Sequence, residues 1–387
     1  MMPLRKSQIY LLAFSSAVIT ANLYYSQPLL AYWADTFQVS ESSAGQTFFY
    51  SMLGQALGLI ALIPLGDKLK RKKFLLWIIA AAMLAIIAAA LSVNLVMLKA
   101  AMFVSGFFSV GPQIIIPLTV DLSPQKERTH VVGVITSGIL TGTVFARLFS
   151  GSITVWMNWQ MVYVFSALFT VIIFFLIRRY IPESRSDFKG SYKKILQSVW
   201  QLFKKYSEIR VAVIVSSCSF VVSRMFWATV AFLLAGHLFN LTTDLIGIFG
   251  LVTLTGSLSA PLAGKLEAHF SDKKVIVFGM LTLVTSFVVL YFFSSVLIFV
   301  VVGGALMEGS RQLVQVTMQS QTIGLVKEAR SRLNMLYISG CFIGAALGAA
   351  LGLAAWHWNG WEGVCVVAFV ILAIQMLVYF QSLRNTF

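Results

Sequence analysis

Twelve apolar runs, roughly residues 8–30, 44–66, 74–92, 95–120, 130–154, 160–180, 209–237, 245–266, 274–293, 296–322, 331–355 and 362–383, fill most of the 387-residue chain. Runs that reach or exceed the roughly 20 residues needed to cross a bilayer leave few folds open, because backbone polar groups inside hydrocarbon must be paired within the segment. Barrel strands would alternate apolar and polar residues in shorter segments, so helices are expected. With 58% hydrophobic and 11% charged residues, the chain lies far from the about 45–50% apolar and about 25% charged of soluble domains. The expected class is an all-α integral membrane protein with twelve transmembrane helices. Arg5 and Lys6 precede an apolar run that continues past Thr20, holds Asn22 and Gln27 and lacks a clear small-residue cleavage site. The first run is therefore expected to stay as a helix rather than be removed as a signal peptide. Cys218, Cys341 and Cys365 fall inside apolar runs, distant from any histidine, so neither a disulfide nor a metal site is expected.

The formal charge of +15 could point to nucleic acid, but its placement points to a membrane surface. Of the 29 Lys and Arg, four (Lys99, Arg147, Arg224 and Arg311) lie in span interiors, and the other 25 gather at the N-terminus, the even-to-odd connections, one long linker and the C-terminal tail. Opposite loops hold Asp35, Glu41, Asp244 and Glu362 instead. That bias places both termini and the linker in the cytoplasm. Residues 178–210 form the long hydrophilic interruption, with nine basic residues against Glu183, Asp187 and Glu208. Within it Tyr192, Ile195, Leu196, Val199, Trp200 and Phe203 recur at helical spacing, among Lys193, Lys194, Lys204 and Lys205. Two readings stand at this point, an amphipathic helix lying on the anionic leaflet and a solvated charge run.

The flanks of the linker repeat. Arg128, Ser137, Gly138, Gly142, Trp156 and Trp159 recur 202 positions later as Arg330, Ser339, Gly340, Gly344, Trp358 and Trp361. Such self-similarity predicts one half-chain unit used twice: a six-helix bundle over 1–180, a cytoplasmic linker over 181–208 and a second bundle over 209–387.

The loop after the second run reads Leu65-Gly66-Asp67-Lys68-Leu69-Lys70-Arg71-Lys72-Lys73. An acid followed by a basic cluster at this place resembles the signature of the major facilitator superfamily, although Ile63 and Lys70 stand where that family usually has glycine. The resemblance implies that Gly66 and Asp67 form a conformational latch at the N-terminus of the eleventh helix, with Arg71 and Asp121 as partners. The first run, through Ala21-Asn22-Leu23-Tyr24-Tyr25-Ser26-Gln27-Pro28, looks like the drug:proton antiporter-like efflux permeases of sugar, drug or siderophore type. Gly138, Gly142, Arg147 and Gly151 resemble that subgroup's glycine-rich fifth helix, and Gly340 and Gly344 repeat the theme in the eleventh. Glycines four apart let helices pack backbone to backbone. Many relatives carry an arginine early in the fourth span; this chain offers Lys99, displaced by a few residues and open to two readings, a functional cation or a snorkelling side chain.

Ionisable groups inside a span are costly and default to function. Here they are Lys99, Arg147, Arg224, Glu308 and Arg311. Glu308 and Arg311, three apart, can pair on one helix. Either the pair is self-neutralising structure, or Glu308 carries the coupled proton with Arg311 as its competitor. Four basic groups against one acid favour an anionic solute, a carboxylate or carboxylate-bearing siderophore, bound near Arg224 and Arg311. Arg147, Asn22, Tyr24, Tyr25 and Gln27, with Gln113, Gln312 and Gln315, are the further candidates. Pro28, Pro112 and Pro117 are expected to kink their spans.

An intramembrane enzyme would need a nucleophile and base or a metal cluster, and the four dispersed histidines form neither. No phosphate-binding loop for nucleotide-driven pumping appears. The expectation is a proton-coupled secondary transporter in a bacterial-type inner membrane, partnered by a small-molecule solute, protons and lipid, with no cofactor and no nucleic acid. The family implies a monomer. Export by proton antiport, import by proton symport and polyspecific drug export remain open.

Overall fold

In the computed structural model the described residues are 4–66, 68–125, 127–183, 192–326 and 329–384. Among them the regular structure is helical: α1 (Lys6–Ala21), α2 (Leu30–Thr36), α3 (Glu41–Gly66), α4 (Arg71–Ala90), α5 (Leu95–Phe108), α6 (Gly111–Asp121), α7 (Arg128–Trp156), α8 (Trp159–Tyr180), α9 (Tyr192–Lys205), α10 (Ser207–Ala235), α11 (Thr243–Phe249), α12 (Leu254–His269), α13 (Asp272–Phe292), α14 (Leu297–Gly324) and α15 (Arg330–Arg384). Ten helices among the described residues are long and apolar enough to cross a membrane. One of them spans most of α15, whose backbone leaves helical geometry at Asn359 and Gly360, the latter at φ 53°. That left-handed value suits glycine, which has no Cβ to clash.

Starts and breaks follow local chemistry. Asn94 and Asn158 cap α5 and α8, each side-chain oxygen accepting from the backbone N–H three residues on, at 2.8 and 3.0 Å. The first run is not one continuous helix: a turn at Asn22–Ser26 and a short 3-10 segment at Gln27–Leu29 separate α1 from α2. Pro28 supplies no N–H there, and Leu23, Tyr24, Gln27 and Leu29 donate instead to carbonyls three residues back. The run over 95–120 breaks between α5 and α6, with Pro112 in the first turn of α6, where the missing donor costs nothing. The run over 245–266 also divides, into α11, a 3-10 turn at Gly250–Thr253 and α12. Thr253 and Thr255 hydroxyls donate to the Gly250 and Val252 carbonyls at 2.7 Å, competing with the helical ladder.

The chain forms two compact units. Unit 1 comprises residues 1–39, 50–195 and 242–248, and unit 2 residues 40–49, 196–241 and 249–387. In unit 1, α1 lies against α7: a Cβ added at Gly138 or Gly142 would come within 2.3 Å of the Ala13 or Ala17 carbonyl oxygen. In unit 2, α10 lies against the first part of α15, where a Cβ at Gly344 or Gly348 would stand 2.7 or 2.3 Å from the Ser217 or Val221 carbonyl oxygen. Glycine is what lets each pair of backbones meet.

Part of the linker, residues 184–191, lies outside the described residues. Beyond it the amphipathic pattern forms α9. Its apolar face is covered partly by protein: Leu202 and Phe203 pack on the buried cluster of Ile209, Ala329 and Leu333. Trp200 stays 56% exposed, with Lys204 Nζ 5.3 Å from its ring centroid. Arg210 of α10 ties the corner by donating to the Phe203 and Lys204 carbonyls at 3.1 and 2.6 Å, a basic residue satisfying helix C-terminal acceptors.

Candidate functional site

Unit 2 gathers buried charge around α10 and α14. Glu308 sits one turn before Arg311 on α14, and Arg311 donates through Nη2 and Nε to Glu308 Oε2 at 2.9 and 3.2 Å. The other carboxylate oxygen accepts from Ser223 Oγ at 2.9 Å and Trp227 Nε1 at 2.8 Å. Ser223 and Trp227 are four apart on α10, so both face α14. Arg311 also donates to Gln315 Oε1 at 2.6 Å and Gln312 Oε1 at 3.2 Å. Arg224, next to Ser223, comes close enough to Glu308 to interact electrostatically. The guanidinium carbons of Arg311 and Arg224 lie 4.9 and 5.8 Å from the ring centroid of Phe220, which is buried. All three charged side chains are buried. Among Arg224, Arg311 and Glu308 the formal charge is +1.

Unit 1 holds the second cluster, where α7 meets the break in the first run. Arg147 donates from Nε to Gln27 Oε1 at 2.6 Å and from Nη1 to the Thr143 carbonyl at 2.8 Å, and its guanidinium lies 4.9 Å from the Tyr24 ring centroid. Asn22 Oδ1 accepts from Ser166 Oγ of α8 at 2.5 Å. Tyr25 is enclosed by Phe149 at 6.1 Å and Tyr163 at 6.3 Å, and Tyr163 stacks on Trp33 at 6.4 Å. The polar residues are thus set in an aromatic wall. Gln113, in the first turn of α6, is half-buried, as is Lys99 of α5.

At the start of α4, Arg71 forms an ion pair with Asp121, the last residue of α6. Lys72 donates from its backbone to Glu183 at 3.0 Å and from Nζ to the Arg178 carbonyl at 2.9 Å. Asp67 lies outside the described residues. Gly66, unlike the helix-packing glycines, has only ordinary contacts, the nearest to Ile114 at 3.5 Å.

The structure therefore brings Glu308, Arg311, Gln315 and Arg224 together in unit 2, and Arg147, Gln27, Asn22 and Tyr25 in unit 1. Ser223, Trp227, Phe220 and Ser166 join them without having been singled out. The i,i+4 spacing of Ser223 and Trp227 around Arg224 is the signal that could have found two of them; Phe220 and Ser166 carry none.

The profile described as Major Facilitator Superfamily matches residues 12–226 and 212–385. A relative from Escherichia coli O157:H7 called "Uncharacterized transporter YgaY" is 30% identical over 379 residues, 97% of this chain and 96% of the relative. Among solved structures, a variant of the nucleoside transporter NupG superposes with TM-score 0.78 at 12% identity, covering 97% of this chain and 99% of that one. A bacterial homolog of the human lysosomal transporter Spinster, inward-facing and unoccupied, superposes with TM-score 0.75 at 15% identity, over 98% of both chains. Likenesses at that identity carry the fold alone.

Proposed function

Since the chain belongs to the Major Facilitator Superfamily, a family of transporters rather than enzymes, we propose that it moves a small organic anion by proton-coupled alternating access. The observation that carries this reading is the pair of buried guanidiniums, Arg224 and Arg311, against one phenyl ring with Glu308 as their carboxylate neighbour. Taking that excess positive charge into a bilayer is costly unless a mobile anion offsets it. Glu308 is the proton carrier: protonation would release Arg311 for the solute, and the returning carboxylate would displace the solute.

The proposal has twelve spans in two repeats, 1–180 and 209–387, joined by a cytoplasmic linker at 181–208. Both termini are cytoplasmic and the membrane is a bacterial inner one. The solute is a carboxylate or carboxylate-bearing siderophore, and export by antiport is the direction the first-run and fifth-helix motifs favour. A monomer suffices. Asp67, Arg71 and Asp121 act as the latch, with the Arg71–Asp121 ion pair as its basis.

Metabolite profiling of cells with and without the protein, filtered for anions, identifies the solute. Flux in proteoliposomes under an imposed pH gradient then tests coupling. Glu308→Gln is expected to keep solute exchange and lose gradient-driven accumulation; undiminished coupling in that variant removes Glu308 from the role. Arg224→Ala is expected to raise the KM about tenfold to a hundredfold, the span of a lost charged hydrogen bond. Transport of a hydrophobic cation indifferent to Arg224→Ala would overturn the anion reading. For the latch, Arg71→Ala and Asp121→Ala should slow flux to the same degree and the double variant no further, as partners in one contact do.

A further inference from the structure

Unit 1 contains hydrogen-bond donors that its own fold leaves unused. Among the described residues, Asn22 Nδ2, Ser26 Oγ, Gln27 Nε2 and Trp33 Nε1 are buried without a hydrogen-bond partner. Their residues are 4%, 2%, 2% and 0% exposed. Buried polar atoms are paired almost everywhere in folded proteins, so four orphans on the short stretch from Asn22 to Trp33 call for a ligand. Asn22, Ser26 and Gln27 lie where the first run stops being an α-helix, with Trp33 just beyond in α2, and irregular backbone of this kind is what membrane proteins keep for lining a site.

The chemistry of that ligand follows from what remains. The acceptor atoms of both amides already take one hydrogen bond each: Asn22 Oδ1 from the Ser166 hydroxyl, and Gln27 Oε1 from Arg147 Nε. The atom each amide leaves wholly unpartnered is its nitrogen, Ser26 and Trp33 add one donor each, and the guanidinium beside Gln27 adds positive charge. A group meeting this array must accept several hydrogen bonds and carry negative charge.

We propose that this stretch, with Arg147, binds an oxyanion, a carboxylate or phosphate, and that the Gln27 carbonyl is its built-in stand-in. When the oxyanion arrives, it takes the Arg147 contact from Gln27 Oε1, and the displaced amide turns to donate through Nε2 to the same ligand. Asn22 and Ser26 complete the cradle. The inference rests on the reading of the chain as an anion transporter, and it adds an oxyanion contact in unit 1 to the one proposed at Arg224 and Arg311.

Thermal unfolding of the full chain in detergent tests it, with benzoate and inorganic phosphate as probes and benzamide as the neutral isostere of benzoate. At least one anion should stabilise the protein at a half-saturating concentration about tenfold or more below that of benzamide, and whichever acts separates carboxylate from phosphate recognition. Gln27→Glu sets a permanent carboxylate on Arg147 and should abolish the anion shift while retaining the fold. Asn22→Asp, which removes a donor and adds negative charge, should raise the half-saturating concentration about tenfold. Lys205→Gln, which removes an exposed cation of α9, should leave the shift unchanged. A shift that survives Gln27→Glu and disappears in Arg224→Gln overturns the placement in unit 1 but leaves anion transport standing. The absence of any anion shift in the unaltered protein overturns the site outright, whereas a solute found by profiling to be cationic overturns the transport reading itself.

Discussion

Replacing Glu308 by alanine is expected to destabilise the protein by about 3–5 kcal/mol, the usual penalty for removing one partner of a buried ion pair. Arg311 would keep its charge inside unit 2 and lose the two contacts at 2.9 and 3.2 Å that offset it. Ser223 and Trp227 would lose the acceptor they share. Glu308→Gln should cost less, because an amide oxygen still accepts from both. The double variant Glu308→Ala/Arg311→Ala should recover part of the loss, since no charge is then stranded. Thermal unfolding in detergent reads all of these. If the loss in the double variant equals the sum of the Glu308→Ala and Arg311→Ala losses, the pair is not coupled and Glu308 is not the counter-charge of Arg311.

Gly142→Leu should be more damaging still, to the point that little monodisperse protein is recovered. A Cβ at that position meets the Ala17 carbonyl oxygen at 2.3 Å and its Cα at 2.7 Å. These are backbone atoms, so no rotamer change relieves the overlap, and α1 would have to separate from α7. Overpacking costs of about 1–3 kcal/mol presume neighbours that can yield; here they cannot. Gly348→Leu should behave alike, its Cβ falling 2.3 Å from the Val221 carbonyl oxygen. Gly133→Leu on the same α7 is the control, because nothing lies within 4 Å of a Cβ there. Recovery by size-exclusion chromatography separates the cases, and wild-type yield from Gly142→Leu would mean the seam is looser than its geometry.

What could be read from residue order alone was local. The i,i+3 spacing of Glu308 and Arg311 reveals that they can touch, and Pro28 and Pro112 reveal where a helix must adjust. Partners brought by the fold leave no such trace. Gln27 and Arg147 are 120 positions apart, and Trp227 and Glu308 are 81 apart; no periodicity links them. The break at Gly250–Thr253 carries no proline, so nothing in the residue order marks it. The amphipathic pattern of α9 identifies its apolar face. It does not say that Leu202 and Phe203 press on Ile209 and Leu333, because that cluster is assembled from distant segments. The helix-packing glycines are legible as a spacing, but only coordinates distinguish those that meet a backbone from Gly133, which meets nothing.

The interruption after Ala21 also bears on how the nascent chain reaches its membrane. At 16 residues, α1 extends about 24 Å at 1.5 Å per residue, short of the roughly 30 Å hydrocarbon layer. The following stretch presents Asn22, Ser26 and Gln27 to the translocation machinery. The first run is thus a weak insertion signal by itself, whereas the 26-residue α3 is an ample one. Biogenesis should therefore proceed by co-insertion of the two as a hairpin, and a ribosome-stalled chain ending before α3 should remain extractable by alkaline carbonate, while one ending beyond α4 should not.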